Sequence, residues 1–216
     1  MGQGDSDKVI FLIRAAPGST SAVATQRAIR ATSAVPSRAV TVFFHGEAVA
    51  AARGPAADWG GHHQSTAVQL LVCQAAWTRR FDDEPAAGFR TSSLVEFWTH
   101  VLAADQVGSV GDEALSESCV LRIRDISSDR DATEMLEIVL AGASLEIDLD
   151  VLFEAEAVAF LGAKPARKWR QLVDHGLATI WYVGDVDAVD GLQLAARPLD
   201  AEQIDDLIRG RILIDL

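Results

Sequence analysis

A cysteine that ends an apolar run is the residue best suited to chemistry in this chain of 216 residues. Cys73 closes the run 69–73, and the residues that follow it, 74–80, read Gln-Ala-Ala-Trp-Thr-Arg-Arg, which is typical of a helix start. A thiol at a helix N-terminus lies near the positive end of the helix dipole, which favours the thiolate. We therefore interpret Cys73 as a candidate nucleophile or sulfur carrier. The alternative, a small buried hydrophobic residue, stays open on residue type alone.

Five basic side chains are candidates to support that thiol. Arg79 and Arg80 follow the cysteine by six and seven residues, so one of them could turn back toward the sulfur. His45 directly follows an apolar run and is a candidate proton-transfer partner. His62 and His63 lie in a glycine-rich loop, where they could cover the thiol or form a solvated pair. No further ligands accompany them, so no metal site is predicted.

The second cysteine is expected to be structural. Cys119 begins the first apolar run in the second half of the chain, at the end of a sheet opposite to the carboxyl ends of its strands, and we expect a packed core thiol there. Two cysteines without Cys-x-x-Cys spacing indicate neither a disulfide framework nor a zinc site. The segment 17–20 follows a strand and opens a helix, but it matches no nucleotide-binding motif, so no cofactor is predicted.

The two halves of the chain resemble each other. Residues 40–49 align with residues 149–158 at an unbroken offset of 109 (153 − 44), and this alignment matches Phe44 with Phe153, Glu47 with Glu156 and Val49 with Val158. The glutamates are therefore repeat equivalents in separate units, and we expect them to be structural at the turn after a strand. The repeat predicts one small unit copied head to tail.

Apolar runs alternate with helical segments in both halves. The expected strands are about 9–13, 40–44, 69–73 and 106–110 in the first half, and 119–123, 149–153, 178–183 and 211–216 in the second. Serine-rich segments are expected to cap helices of about 21–34 and 130–142. This alternation predicts an α/β fold with two units, each a mostly parallel sheet flanked by helices, with domains at 1–112 and 113–216.

Composition limits the location and partners of the protein. Hydrophobic residues make up 49% and charged residues 23%, as in ordinary globular proteins. No apolar run is long enough to cross a membrane, and the N-terminus lacks the pattern of a secretion signal, so a cytoplasmic location is expected. The net charge of −12 argues against nucleic acid or an anionic membrane as a partner.

That charge is distributed unevenly. Residues 1–116 carry 9 Lys/Arg against 11 Asp/Glu, whereas residues 117–216 carry 10 against 20. The acidic second half could bind a basic partner or another subunit, or its charge could serve solubility alone.

The run ending in Phe44 with Glu47, followed by Cys73, two alanines and the pair Arg79-Arg80, resembles the DsrE/TusD family of sulfurtransferase subunits. The second half is similar to the partner family DsrF/TusC in the following residues: 151–153, Trp169, Gly176, Trp181, 191–192 and 198–199. The resemblance covers about residues 8–216, in the order E-like then F-like. The segment between Glu47 and Cys73 is shorter than in the family, so a helix is expected to be reduced to loop there.

This resemblance implies two tandem DsrE-like units in an intracellular sulfur relay. Cys73 would carry sulfane sulfur as a persulfide and pass it to a protein thiol, in tRNA thiolation or sulfur oxidation. The implied partners are a TusA-like donor, a DsrC/TusE-like acceptor and an H-like (TusB-like) subunit, in an oligomer. The second half has Tyr182 or Val183 in place of the cysteine, and would be a scaffold.

Two other functions stay open at this point. The chain could be a noncatalytic assembly or regulatory module of the same fold, in which Cys73 has no reaction. A flavin- or nucleotide-binding module of similar shape would also fit the alternation of strands and helices, but the sequence offers it no binding motif.

Overall fold

The computed structural model describes residues 7–59, 68–108, 118–184 and 193–216. The chain divides into two compact units, Met1–Asp112 and Glu113–Leu216. Within the described residues, no helix is both long enough and apolar enough to span a bilayer. The predicted α/β class is confirmed, because each unit has a five-stranded parallel sheet flanked by helices.

The first unit is built on five strands and three helices. The strands are β1 Asp7–Ile13, β2 Arg38–Phe44, β3 Val68–Cys73, β4 Phe89–Ser92 and β5 Gln106–Val107, in the sheet order β4-β3-β2-β1-β5. The helices are α1 Thr20–Ser33, α2 Gln74–Thr78 and α3 Leu94–Leu102, with 3₁₀ segments at Gly46–Arg53 and Ala56–Trp59. The described residues between β2 and β3 form these two 3₁₀ segments, and residues 60–67, where the rest of the expected loop falls, lie outside the described residues.

The second unit repeats this plan. Its strands are β6 Ser118–Ile123, β7 Asp148–Phe153, β8 Thr179–Val183, β9 Arg197–Leu199 and β10 Ile212–Asp215, in the order β10-β6-β7-β8-β9. Its helices are α4 Asp129–Ala143, α5 Arg170–Asp174 and α6 Ala201–Ile208, with 3₁₀ segments at Ala155–Gly162 and Lys164–Trp169. Read from the other edge, its strand order is that of the first sheet.

Local sequence explains where the long helices begin. The Ser19 hydroxyl accepts a hydrogen bond from the Ala22 amide at 3.2 Å, which caps α1. Ser128 accepts one from the Asp131 amide at 3.2 Å and caps α4 in the same way. Both caps satisfy amide groups that have no partner within the helix, as the serine-rich segments predicted.

Each sheet buries both of its faces, which explains why its strands read as continuous apolar runs. In the first unit, the rings of Phe43 and Phe97 lie 4.8 Å apart, so α3 packs on β2. In the second unit, α6 packs through Ile204 and Leu207 against the buried Val120 and Leu152. Because the strands pair in parallel, their carboxyl ends lie along the same side of each sheet.

Two strands were missed by the sequence analysis. The edge strands β4 and β9 have four and three residues, too short to show an alternating pattern. Pro198 lies inside β9, where the missing amide is tolerated because the strand is at the sheet edge. The strand expected at 106–110 is described only as the two-residue β5.

Candidate functional site

Four strands of the first sheet end side by side. In the pairing register, Ile13 faces Phe44, Phe44 faces Val72, and Cys73 faces Ser92. The next residues in line therefore form a row across the carboxyl edge of the sheet: Arg14, His45, Cys73 and Ser92. We call this row the first edge row. Ligands of open parallel sheets bind beyond this edge of the strands.

The chain turns sharply after His45 and holds that residue in the sheet edge. The His45 amide donates to the Ile13 carbonyl at 2.9 Å, which extends the strand pairing by one step. Gly46 then adopts φ +61°, a left-handed conformation that glycine accepts readily. The 3₁₀ segment Gly46–Arg53 that follows is largely buried against the sheet. The imidazole is therefore fixed in the interior by the backbone on both sides of it.

The His45 ring is buried and lies near three arginine side chains. The residue has 0% relative exposure, and among the described residues neither Nδ1 nor Nε2 has a hydrogen-bond partner. Burial, followed by the positive charges of Arg14, Arg80 and Arg79, lowers the pKa of His45 to about 3. The ring is consequently neutral at neutral pH, and it binds a proton only in strong acid. The predicted proton transfer with Cys73 would therefore start from the neutral form of the ring.

The arginines reach this edge from different elements. Arg14 follows β1 and is half-buried, and Arg79 directly follows α2 and is exposed. The Arg80 side chain is only 8% exposed, donates to the Ala76 carbonyl at 3.1 Å and forms an ion pair with Glu47 at 3.2 Å. The structure thus brings Arg79, Arg80 and His45 into one electrostatic cluster, as parts of the predicted site.

Cys73 lies in the row beside His45, and it is almost fully covered. It is the last residue of β3, directly precedes α2, and has 1% relative exposure. The predicted helix after the cysteine is present, but it has only five residues, so its dipole is small. A second protein can reach the sulfur only after the covering residues move.

His62 and His63 lie outside the described residues. Arg14 was not among the predicted residues. The signal that identified His45 could have found it, because Arg14 directly follows the apolar run 9–13, as His45 follows the apolar run that ends at Phe44. Cys119 is fully buried near the start of β6, and burial, followed by the charge of Asp148, raises its pKa to about 12. That thiol is protonated at neutral pH.

The second unit presents a matching row with different chemistry. Ile123 faces Phe153, Phe153 faces Tyr182, and Val183 faces Leu199. The second edge row is therefore Arg124, Glu154, Val183 and Leu199, so the register places Val183 where the first row has Cys73.

The turn at this place has the same geometry in both units. The Glu154 amide donates to the Ile123 carbonyl at 2.9 Å, and Ala155 adopts φ +50°, as Gly46 does at +61°. The Glu154 carboxylate accepts a hydrogen bond from Arg124 Nε at 3.1 Å. The second row therefore neutralises its arginine with an acid of its own.

No cluster of three or more His, Cys, Asp or Glu side chains suited to a metal ion occurs within 7–59, 68–108, 118–184 and 193–216. Comparison with protein-family models, with curated proteins and with solved structures finds no match for this chain.

Proposed function

We propose that this protein is a sulfur carrier that holds sulfane sulfur as a persulfide on Cys73 and passes it to a thiol of a partner protein. The observation that supports this most is the place of Cys73 in the first edge row, between His45 and Ser92, at the edge where parallel sheets present their reactive groups. The resemblance to the DsrE/TusD and DsrF/TusC subunits points to the same chemistry. The second unit, with Val183 at this place, would be a scaffold.

The reaction needs no oxidant or reductant. The Cys73 thiolate attacks the outer sulfur of a donor persulfide, a new S–S bond forms, and the donor S–S bond breaks. The donor leaves as a thiolate, and Cys73 becomes a persulfide. An acceptor thiolate then attacks the outer sulfur, takes it as its own persulfide and releases the Cys73 thiolate.

Positive charge at this edge suits both anionic forms of the sulfur. Arg79 and Arg80 contribute to the lowered pKa of His45, the residue beside Cys73 in the first edge row. A cationic surrounding favours thiolates and other anionic sulfur species. The arginines would therefore stabilise Cys73 between the two transfer steps.

The burial of Cys73 adds a requirement to the proposal. A sulfur with 1% exposure is protected from solvent, which suits a persulfide that must not lose its sulfur to small thiols. The donor and acceptor proteins must then open this edge when they dock. TusA-like donors and DsrC/TusE-like acceptors are the partners that the resemblance suggests, with a separate TusB-like subunit in an oligomer.

Intact-protein mass spectrometry tests the proposal. The chain is incubated with a persulfide donor, and a gain of one sulfur, about 32 Da, is expected for the wild type and for Cys119→Ser. Cys73→Ser should show no gain. Cys119 is the matched control because its pKa of about 12 keeps it protonated. Equal gain in Cys73→Ser, or no gain in the wild type with a competent donor protein present, would rule the carrier out.

A noncatalytic assembly or regulatory module is the second candidate. The same 1% exposure of Cys73 favours it, since a packed core thiol is also almost fully covered. The module would keep its oligomeric state and partner binding in Cys73→Ser and would take up no sulfur. The mass measurement therefore separates the two functions.

A further inference from the structure

We propose that His45 donates a hydrogen bond from its ring to the outer sulfur of the Cys73 persulfide and so stabilises the carried sulfur as an anion. This assignment rests on the sulfur relay proposed above and gives a second residue of the first edge row a role in it. No proton or electron leaves the ring, because a hydrogen bond forms and no covalent bond changes. His45 is thus a binding group for the carried sulfur, and it acts as neither an acid nor a base.

The backbone places the two side chains next to each other at the sheet edge. Phe44 faces Val72 in the parallel register, so His45 and Cys73 are the next residues on the two neighbouring strands. His45 keeps an extended backbone, with φ −136° and ψ 162°, and its amide continues the pairing to Ile13. Neighbouring strands lie about 4.8 Å apart, and side chains at matched positions of parallel strands project to the same face. The imidazole and the thiol therefore lie on the same side of the sheet.

Contacts beyond the two residues hold these strand ends together. The 3₁₀ segment Gly46–Arg53, which follows His45, packs against α2, which follows Cys73. An ion pair of 3.2 Å between Arg80 and Glu47 joins the end of α2 to the same segment. The two residues are therefore kept side by side by the packing that follows them as well as by the strand register.

The ring of His45 has an unused donor. Among the described residues, neither nitrogen of this fully buried imidazole has a hydrogen-bond partner, whereas buried polar groups are nearly always paired. Burial, followed by the charges of nearby arginines, lowers the pKa of His45 to about 3, so the ring is neutral at neutral pH and carries one N–H. On the other side of Cys73, the buried Ser92 hydroxyl donates to Glu96 at 2.8 Å. Of these two neighbours of the cysteine, the histidine is the one with a donor available.

The burial of Cys73 creates the need for such a donor. The residue has 1% relative exposure, so a persulfide anion formed there loses most of its contact with water. A buried charge is costly unless it is hydrogen-bonded, and hydrogen bonds to charged groups are among the stronger ones in proteins. The outer sulfur lies about 2 Å beyond Sγ, the length of an S–S bond, which extends it toward groups on the neighbouring strand.

The second unit replaces both members of the pair. Its register places Glu154 and Val183 side by side, where the first unit has the histidine and the cysteine. The Glu154 carboxylate accepts a hydrogen bond from Arg124 at 3.1 Å. A carboxylate repels a neighbouring anion, so the unit that lacks the cysteine also lacks the group that would stabilise its persulfide.

The partition of sulfur at equilibrium tests the assignment. The full chain with Cys119→Ser is incubated with glutathione persulfide and glutathione at a fixed ratio, and intact-protein mass spectrometry gives the loaded fraction. A trace of a TusA-like donor protein speeds the exchange without changing its equilibrium. His45→Leu should lower the equilibrium constant for loading by about tenfold or more, because a hydrogen bond to a charged group is lost. His45→Gln retains an N–H donor and should stay within about threefold of the parent chain.

Unfolding in urea separates this role from a structural one. Replacing a buried ring that has no partner by an apolar side chain should leave the urea midpoint of His45→Leu equal to or above that of the parent chain, while its loading falls. Glu154→Leu is the matched control at the equivalent position, and it should change loading by less than about twofold. If His45→Leu does not fold, His45→Met serves as the variant without a donor.

Failure of this assignment can be distinguished from failure of the relay. A parent chain that takes up no sulfur overturns the relay and this assignment with it. If the parent chain loads and His45→Leu loads within about twofold of it, the assignment is overturned while the relay stands. A loss in His45→Leu that His45→Gln shares in full also overturns the assignment alone.

Discussion

The two edge rows carry opposite chemistry on the same backbone. In the second unit, Arg124 and Glu154 neutralise each other and the neighbouring position is the apolar Val183. In the first unit, Arg14 lies beside the buried, neutral His45, and Cys73 lies on the other side of that histidine. The turn after the second strand thus carries an acid that pairs with the neighbouring arginine in one unit and a neutral histidine in the other. The backbone position is equivalent in the two units, and the side chains at that position determine its charge.

The largest effect on stability is expected from removing the phenylalanine ring that ends the second strand of each unit, β2 or β7. The ring centroids of Phe44 and Trp59 lie 4.9 Å apart in an edge-on arrangement, and those of Phe153 and Trp169 lie 5.5 Å apart. Both phenylalanines are fully buried. Phe44→Ala and Phe153→Ala should each cost about 3–5 kcal/mol, because a large cavity is left. Urea unfolding with hydrogen exchange resolved for each unit measures the loss.

The exposed Val95 gives the control for that pair of variants, and Val95→Ala should change the free energy of unfolding by less than about 0.5 kcal/mol. A loss below about 1 kcal/mol for either phenylalanine would show that the two strand ends are not equivalent core positions.

Acid should destabilise the first unit through His45. Its pKa is about 3 in the folded chain, against 6.5 for the free side chain, so the unfolded chain binds the proton first as the pH falls. The stabilising contribution is complete above pH 6.5 and is lost toward pH 3, at up to about 1.4 kcal/mol per pH unit. The cause is burial first, then the charges of Arg14, Arg80 and Arg79.

The measurement compares the pH dependence of the free energy of unfolding in the wild type and in His45→Gln, which does not titrate. Carboxylates contribute equally to both, so the difference isolates the ring. Parallel curves between pH 6.5 and 4 would contradict the assignment of a neutral, buried His45.

The smallest expected effect concerns the helix that follows the edge row in each unit. Ser93 caps α3 by accepting from the Glu96 amide at 3.0 Å, and Asp200 caps α6 by accepting from the Gln203 amide at 2.9 Å. Asp200 also has a reciprocal bond from its own amide to the Gln203 side chain. Ser93→Ala and Asp200→Ala should each cost about 1 kcal/mol, with the larger loss for Asp200, as measured by thermal unfolding. Thermal unfolding midpoints equal to that of the wild type in both variants would contradict these caps.

More of the architecture than of the site could be predicted from the sequence. Apolar runs and serine caps were sufficient for the central strands and the long helices, because both signals are local. The edge strand β9 was hidden by Pro198, whose effect depends on which side of the sheet is free. The row of Cys73 and His45 followed from the rule that carboxyl strand ends gather together. The burial of both residues did not, because it depends on the 3₁₀ segment Gly46–Arg53 and other distant packing.

The most direct test of the account maps persulfide sulfur within the wild-type chain. After reaction with a donor protein, the chain is alkylated, digested and analysed by mass spectrometry, so that the peptides of Cys73 and Cys119 serve as internal controls for each other. We predict the added sulfur, about 32 Da, on the Cys73 peptide and none on the Cys119 peptide. Sulfur on both peptides alike, or on Cys119 alone, would contradict the claim that the first edge row is the reactive one.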